Sequence, residues 1–105
     1  MPRSAAIGRL AAGFREAGVA RDWERLGALA AALAPQLAAL AARGAWNRSE
    51  LAALVQLRAA HDGAAVACSE ALDALGARLA GMRDNKDGWM AYALTGDMET
   101  AGHQE

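Results

Sequence analysis

Three side chains capable of chemistry lie along one helical spacing near the middle of the chain. Arg58, His61 and Cys68 fall at steps of three and seven, with Ala65 between the last two. An arginine beside a histidine could bind an anion and supply a general base, as basic groups do inside small all-helical enzymes of the chorismate mutase type. The competing reading is structural. Arg58 extends its charged end to water, His61 occupies a half-open edge, and small Ala65 and Cys68 let helices approach closely. No matching carboxylate or second basic cluster converges from the other helices, which favours the structural reading. His61 and Cys68 are about 10 Å apart along a helix axis, too far to share a tetrahedral metal ion or to act as base and nucleophile. The Glu-x-x-His pair of helical di-iron sites is absent.

A second stretch, RDNKDGW at residues 83–89, has the outline of a calcium loop. With Gly88 at the sixth position, Asn85 and Asp87 fall correctly. The first and twelfth positions are then Arg83 and Leu94, where an Asp and a bidentate Glu are required. The stretch reads instead as a helix stop, with Asn85 or Asp87 capping the next segment and Gly88 permitting the turn. Neither a metal nor another cofactor is expected.

The elements that would position these residues are helical throughout. The chain has 105 residues, 54% apolar but only 5% aromatic, so Ala and Leu dominate. Both are strong helix formers that bury little area per residue. In a first helix, Ser4 is the expected cap, Ile7, Leu10, Phe14 and Ala17 form the stripe, and Gly18 is the expected left-handed end. A second run starts beside Asp22 and carries Trp23, Leu26, Ala30, Leu33, Leu37 and Leu40. Pro35 is expected to kink or split it, and Gly44 to mark its end. Asn47 and Glu50 form an Asn version of the capping box, with Trp46 and Leu51 at the staple positions.

From there Leu51, Leu54, Arg58, His61, Ala65, Cys68, Leu72, Leu75, Leu79 and Met82 alternate in steps of three and four, a heptad seam. The expectation is an all-α antiparallel bundle or hairpin of three to four helices. Residues 48–84 would be its long central helix, followed by a short C-terminal aromatic segment. Residues 1–95 form one helical domain and 96–105 a flexible polar tail.

Net charge is −1 with charges interspersed, which argues against nucleic-acid binding. One Cys permits no internal disulfide and suits a reducing compartment. The N-terminus is a poor secretory signal. The uncharged stretch 26–42 is short for a membrane span and is interrupted by Pro35. A cytoplasmic location without membrane insertion is expected.

The remaining signal is a surface. Leu72, Leu75, Leu79 and Met82 lead into Trp89, Met90 and Tyr92, the residue types that protein interfaces concentrate. These seven are the expected partner-binding residues. The alternative is that Trp89 and Tyr92 fold back to plug the end of the bundle.

Asp22, Trp23 and Leu26, together with Gly88, Trp89, Ala91, Tyr92 and Ala93, resemble segments of FliT-type flagellar export chaperones. In these a Gly-Asp-Trp-x-x-Leu segment opens a helix early in the chain. The resemblance implies a non-enzymatic cytoplasmic chaperone that keeps a filament-cap subunit unpolymerised and delivers it to the type III export ATPase. It also implies that a C-terminal helix can cover the client surface. Some members of the family bind the flagellar master regulator, the least transferable role; this chain departs from the family in a tail that is short and polar after Gly96 and in having no charged patch that identifies an ATPase contact. A small helical enzyme using Arg58 and His61, and a structural homodimer, are the competing readings.

Overall fold

Helix α1 spans Arg3–Ala20, α2 spans Trp23–Ala41 and α3 spans Arg48–Thr100 in a computed structural model that describes residues 2–100. There are no strands among the described residues. The chain is all-α. It divides into two units, Met1–Glu70 and Ala71–Glu105.

In the first unit, three helices share one apolar core: Ile7, Ala11, Phe14 and Ala17 of α1, Leu26 of α2, and Leu57, Ala60 and Ala64 of α3. Phe14 and Ile7 are its largest fully buried side chains. Leu10, Leu29, Leu33, Leu37 and Leu40 flank it. Contacts fix the helix directions within this unit. Arg3 reaches the carbonyl of Leu40 while Gly13 faces Leu29, so α2 returns along α1. Arg3 also meets Glu50 while Gly18 faces Ala64, so this part of α3 runs with α1.

The ends of these helices have identifiable causes. α1 begins after Pro2, whose φ of −62° suits a helix entry, and no side chain caps it; Ser4 lies inside the helix. Its left-handed end falls on Arg21, at φ 55°, rather than on Gly18. The amide of Arg21 donates to the Gly18 carbonyl at 3.2 Å, and that of Asp22 to Ala17 at 2.9 Å, a Schellman closure. Gly18 serves packing instead: a Cβ there would stand 3.7 Å from the Ala64 backbone.

Asp22 caps α2 by accepting from the Arg25 amide at 3.1 Å. Pro35 lies within α2 and does not split it. Both Pro35 and Ala31 are exposed, so water can satisfy the carbonyl that loses its partner. Gly44, at φ 125°, carries the chain toward α3.

The capping box at the start of α3 forms in full. Asn47 accepts from the Glu50 amide and Glu50 accepts from the Asn47 amide, each at 2.8 Å. The staple is replaced by another contact. Leu51 is exposed, and Trp46 takes the Arg3 guanidinium over its ring at 4.5 Å.

The buried stripe of α3 within the first unit is Glu50, Leu57, Ala60 and Ala64, with Ala53, Leu54, His61, Ala67 and Cys68 half-buried. This is the expected seam turned by part of a residue. Leu54, His61 and Cys68 sit at its edge, while Leu51, Arg58 and Ala65 are exposed. Alanines that read as spacers form the contact face, because small side chains let the backbones close in.

In the second unit, the backbone is α-helical over residues 71–100. The stop expected at residues 85–88 does not form, since Gly44 is the positive-φ glycine among the described residues and Gly88 keeps a helical backbone. The aromatic residues therefore lie on α3 itself. Of the expected polar tail, residues 96–100 are helical in backbone and 101–105 lie outside the described residues.

Candidate protein-binding surface

The residues with the strongest chemical potential, Arg58, His61 and Cys68, belong to the first unit. Arg58 is 86% exposed at its side chain and stands 3.9 Å from Asp62, one turn along the same helix. His61 rests the edge of its ring on Phe14, with centroids 5.4 Å apart, and its Nδ1 lies 3.6 Å from Asp62 Oδ1. Two small clefts flank it. One, of about 210 Å³, is lined by Leu33, Leu37, Leu54, Leu57, Arg58 and His61. The other, of about 230 Å³, is bordered by Trp23, His61 and Cys68. Apart from Arg58 and His61 in the first and His61 and Cys68 in the second, the linings are apolar, and neither contains a carboxylate. Among the described residues no group of three or more His, Cys, Asp or Glu could hold a metal ion.

The most strongly tied polar group in this unit has no signature spacing in the sequence. Arg3 donates through Nε and Nη2 to the two carboxylate oxygens of Glu50, each at 2.8 Å. Its Nη1 reaches the carbonyls of Leu40 and Gly44, and Nη2 that of Ala45, at 2.8–2.9 Å. The side chains of Arg3 and Glu50 are only 11% and 9% exposed. The Arg3 guanidinium, then the Asn47 amide, holds the Glu50 carboxyl below its ordinary pKa. This group joins the start of α1, the end of α2 and the start of α3. It is structural, since every donor of the guanidinium plane is directed at the protein's own oxygens.

The second unit presents a different surface. Leu72, Leu75, Leu79, Met82, Trp89, Met90, Tyr92 and Leu94 are all between 46% and 73% exposed. Successive helical residues differ by 100°, which places all of these except Tyr92 within an arc of roughly 140°. The three-and-four spacing continues from Met82 through Lys86 and Trp89 to Ala93. Tyr92 flanks the arc and packs edge-on against Trp89, with centroids 6.2 Å apart. Asp84, Asn85, Gly88, Trp89 and Tyr92 border an open notch of about 410 Å³. The missing side chain at Gly88 leaves room beside the indole. The backbone makes no turn at residues 85–88.

No protein-family model matches the chain, and neither a curated protein nor a solved structure matches it. No helix among the described residues is long and apolar enough to cross a membrane.

Proposed function

We propose that this protein is a helical binding protein that holds an amphipathic helix of a partner against the apolar face of α3 at residues 72–94. One observation carries the reading: eight large apolar side chains stand exposed along 23 residues of a single helix. Contiguous apolar surface of this kind marks interaction sites, and aromatic and Met side chains supply much of the energy at such sites. Recognition would be between helices, with partner apolar positions at three-and-four spacing replacing water along the stripe.

The resemblance to FliT-type chaperones adds a partner class, a filament-cap-like export client, and with it the export ATPase and a cytoplasmic setting. On that reading the protein is not an enzyme, and Arg58, His61 and Cys68 act in packing.

The test is titration of the full chain with a purified filament-cap subunit. Leu75→Glu and Trp89→Ala are expected to weaken binding by roughly tenfold or more each, as buried interface anchors do. Arg58→Ala should leave it unchanged. Binding insensitive to both face variants would remove this surface from the proposal.

A further inference from the structure

We infer that, when no client is bound, the face at residues 72–94 is covered by a second copy of this chain, with the two helices antiparallel and centred between Ala80 and Gly81. The inference rests on the reading of this face as a helix-binding surface and names its resting occupant.

The spacing itself selects a matching helix. Leu72, Leu75, Leu79, Met82, Lys86, Trp89 and Ala93 alternate in steps of three and four for three heptads, about 33 Å of helix. A face with that period can pair layer by layer with another of the same period. Its large members Leu72, Leu75, Leu79, Met82 and Trp89 are 46–71% exposed, so a second copy seated on them would cover apolar surface that otherwise faces water.

Charge then selects the direction. In a parallel pair Lys86 would meet Lys86 of the other copy inside the seam. Arg78 would face the other copy's Arg83, five residues further on, where parallel coiled coils place their flanking charges. Both contacts repel.

Reversing one helix removes both conflicts. With the centre between Ala80 and Gly81, Leu72 meets Trp89 of the other copy, Leu75 meets Lys86 and Leu79 meets Met82. On the flanks, Arg78 faces Asn85, Tyr92 faces Ala71 and Arg83 crosses Gly76. A Cβ built at Gly76 has nothing within 4 Å, so the space that a long Arg83 side chain would cross is open. Tyr92 and Arg83 thus meet the small Ala71 and Gly76, Arg78 meets the uncharged Asn85, and Lys86 can extend its ammonium outward past Leu75.

The test uses the full chain. Sedimentation is expected to show a reversible dimer in the micromolar range, of order −8 kcal/mol. Leu79→Glu, whose side chain is exposed, should weaken dimerisation at least tenfold without loss of helicity. Adding Met82→Lys should restore it, because the new carboxylate at position 79 then faces the new ammonium at position 82 twice across the centre. In a parallel pair the double change sets like against like and cannot rescue.

Nitroxides placed singly on the outer positions Asp73, Ala80 and Asp87, in a Cys68→Ala background, read the direction. The antiparallel pair gives a short distance at position 80, and separations along the axis of about 20 Å at 73 and 87. Equal distances at all three positions, or no rescue by Met82→Lys, would overturn the arrangement. A chain that stays monomeric to about 100 μM and still binds a helical client would overturn the second copy while leaving the client reading intact.

Discussion

Arg3 and Glu50 are 47 residues apart in sequence and face one another in a bidentate ion pair, with both N···O distances 2.8 Å. Five hydrogen bonds leave this one guanidinium, three of them to carbonyls at the end of α2 and in the loop to α3. The first unit is therefore closed at one end by a charge rather than by apolar packing.

The pair makes stability depend on acidity. Arg3, followed by the Asn47 amide, lowers the Glu50 pKa on folding. Its contribution is present above the unfolded value, about 4.3, and is lost as pH falls through the lower native value. Thermal melts between pH 7 and pH 2 should show the midpoint dropping over that acid range. Glu50→Gln should lower the midpoint at pH 7 and flatten the acid dependence; an unchanged acid slope would mean that other carboxylates govern it.

Arg21 holds a left-handed backbone at φ 55°, which costs a non-glycine residue about 1–2 kcal/mol. Arg21→Gly relieves that strain but loosens the unfolded chain, so a net gain of about 0.5–1 kcal/mol is expected in urea denaturation. The Schellman closure uses only backbone groups and survives the change.

At Gly18 the outcome should turn with side-chain size. A single Cβ meets Ala64 at 3.7 Å, ordinary van der Waals contact, so Gly18→Ala should stabilise through helix propensity by up to about 1 kcal/mol. Gly18→Leu must force α1 from α3 and should cost about 1–3 kcal/mol. Two variants that both destabilise would show that even a methyl group is too large there.

Gly76, Gly81 and Gly88 lie in helix with open space where a Cβ would stand. Replacing all three by Ala should raise helix stability in residues 71–95 by about 2–3 kcal/mol, at roughly 1 kcal/mol each. Circular dichroism during heating, compared with the parent chain, measures the gain. No change would mean that association already holds this segment helical.

Local signals in the sequence are reliable where the physics is local. Asn47 with Glu50 as a capping box involves residues three apart and forms as their types require. The α1 stripe is legible because Ile7 and Phe14 are unambiguously large. The α3 stripe is less so. In an Ala-rich helix, Ala60 and Ala64 look like spacers, and only the closeness of the opposing backbone shows that they are the contact.

Other features depend on context that a sequence window does not contain. Gly18 looks like a terminus, but the left-handed turn comes three residues later and Gly18 is used for close approach. Gly88 looks like a stop, yet one glycine costs only about 1 kcal/mol and neighbouring turns outweigh it. Arg3 carries no local sign of its partners, since all of them lie 37 or more residues away. The candidate surface is visible in the sequence as a pattern between Leu72 and Tyr92. Its extension over Leu94 depends on the helix continuing through Gly88.

The division of the chain at Glu70 also sets an order of events during synthesis. The apolar core described above, and both partners of the Arg3–Glu50 pair, precede that boundary. A chain emerging from the ribosome N-terminus first can complete its core before the exposed stripe has left the exit. The exposed apolar stripe can thus reach the cell after the core no longer offers a competing apolar surface.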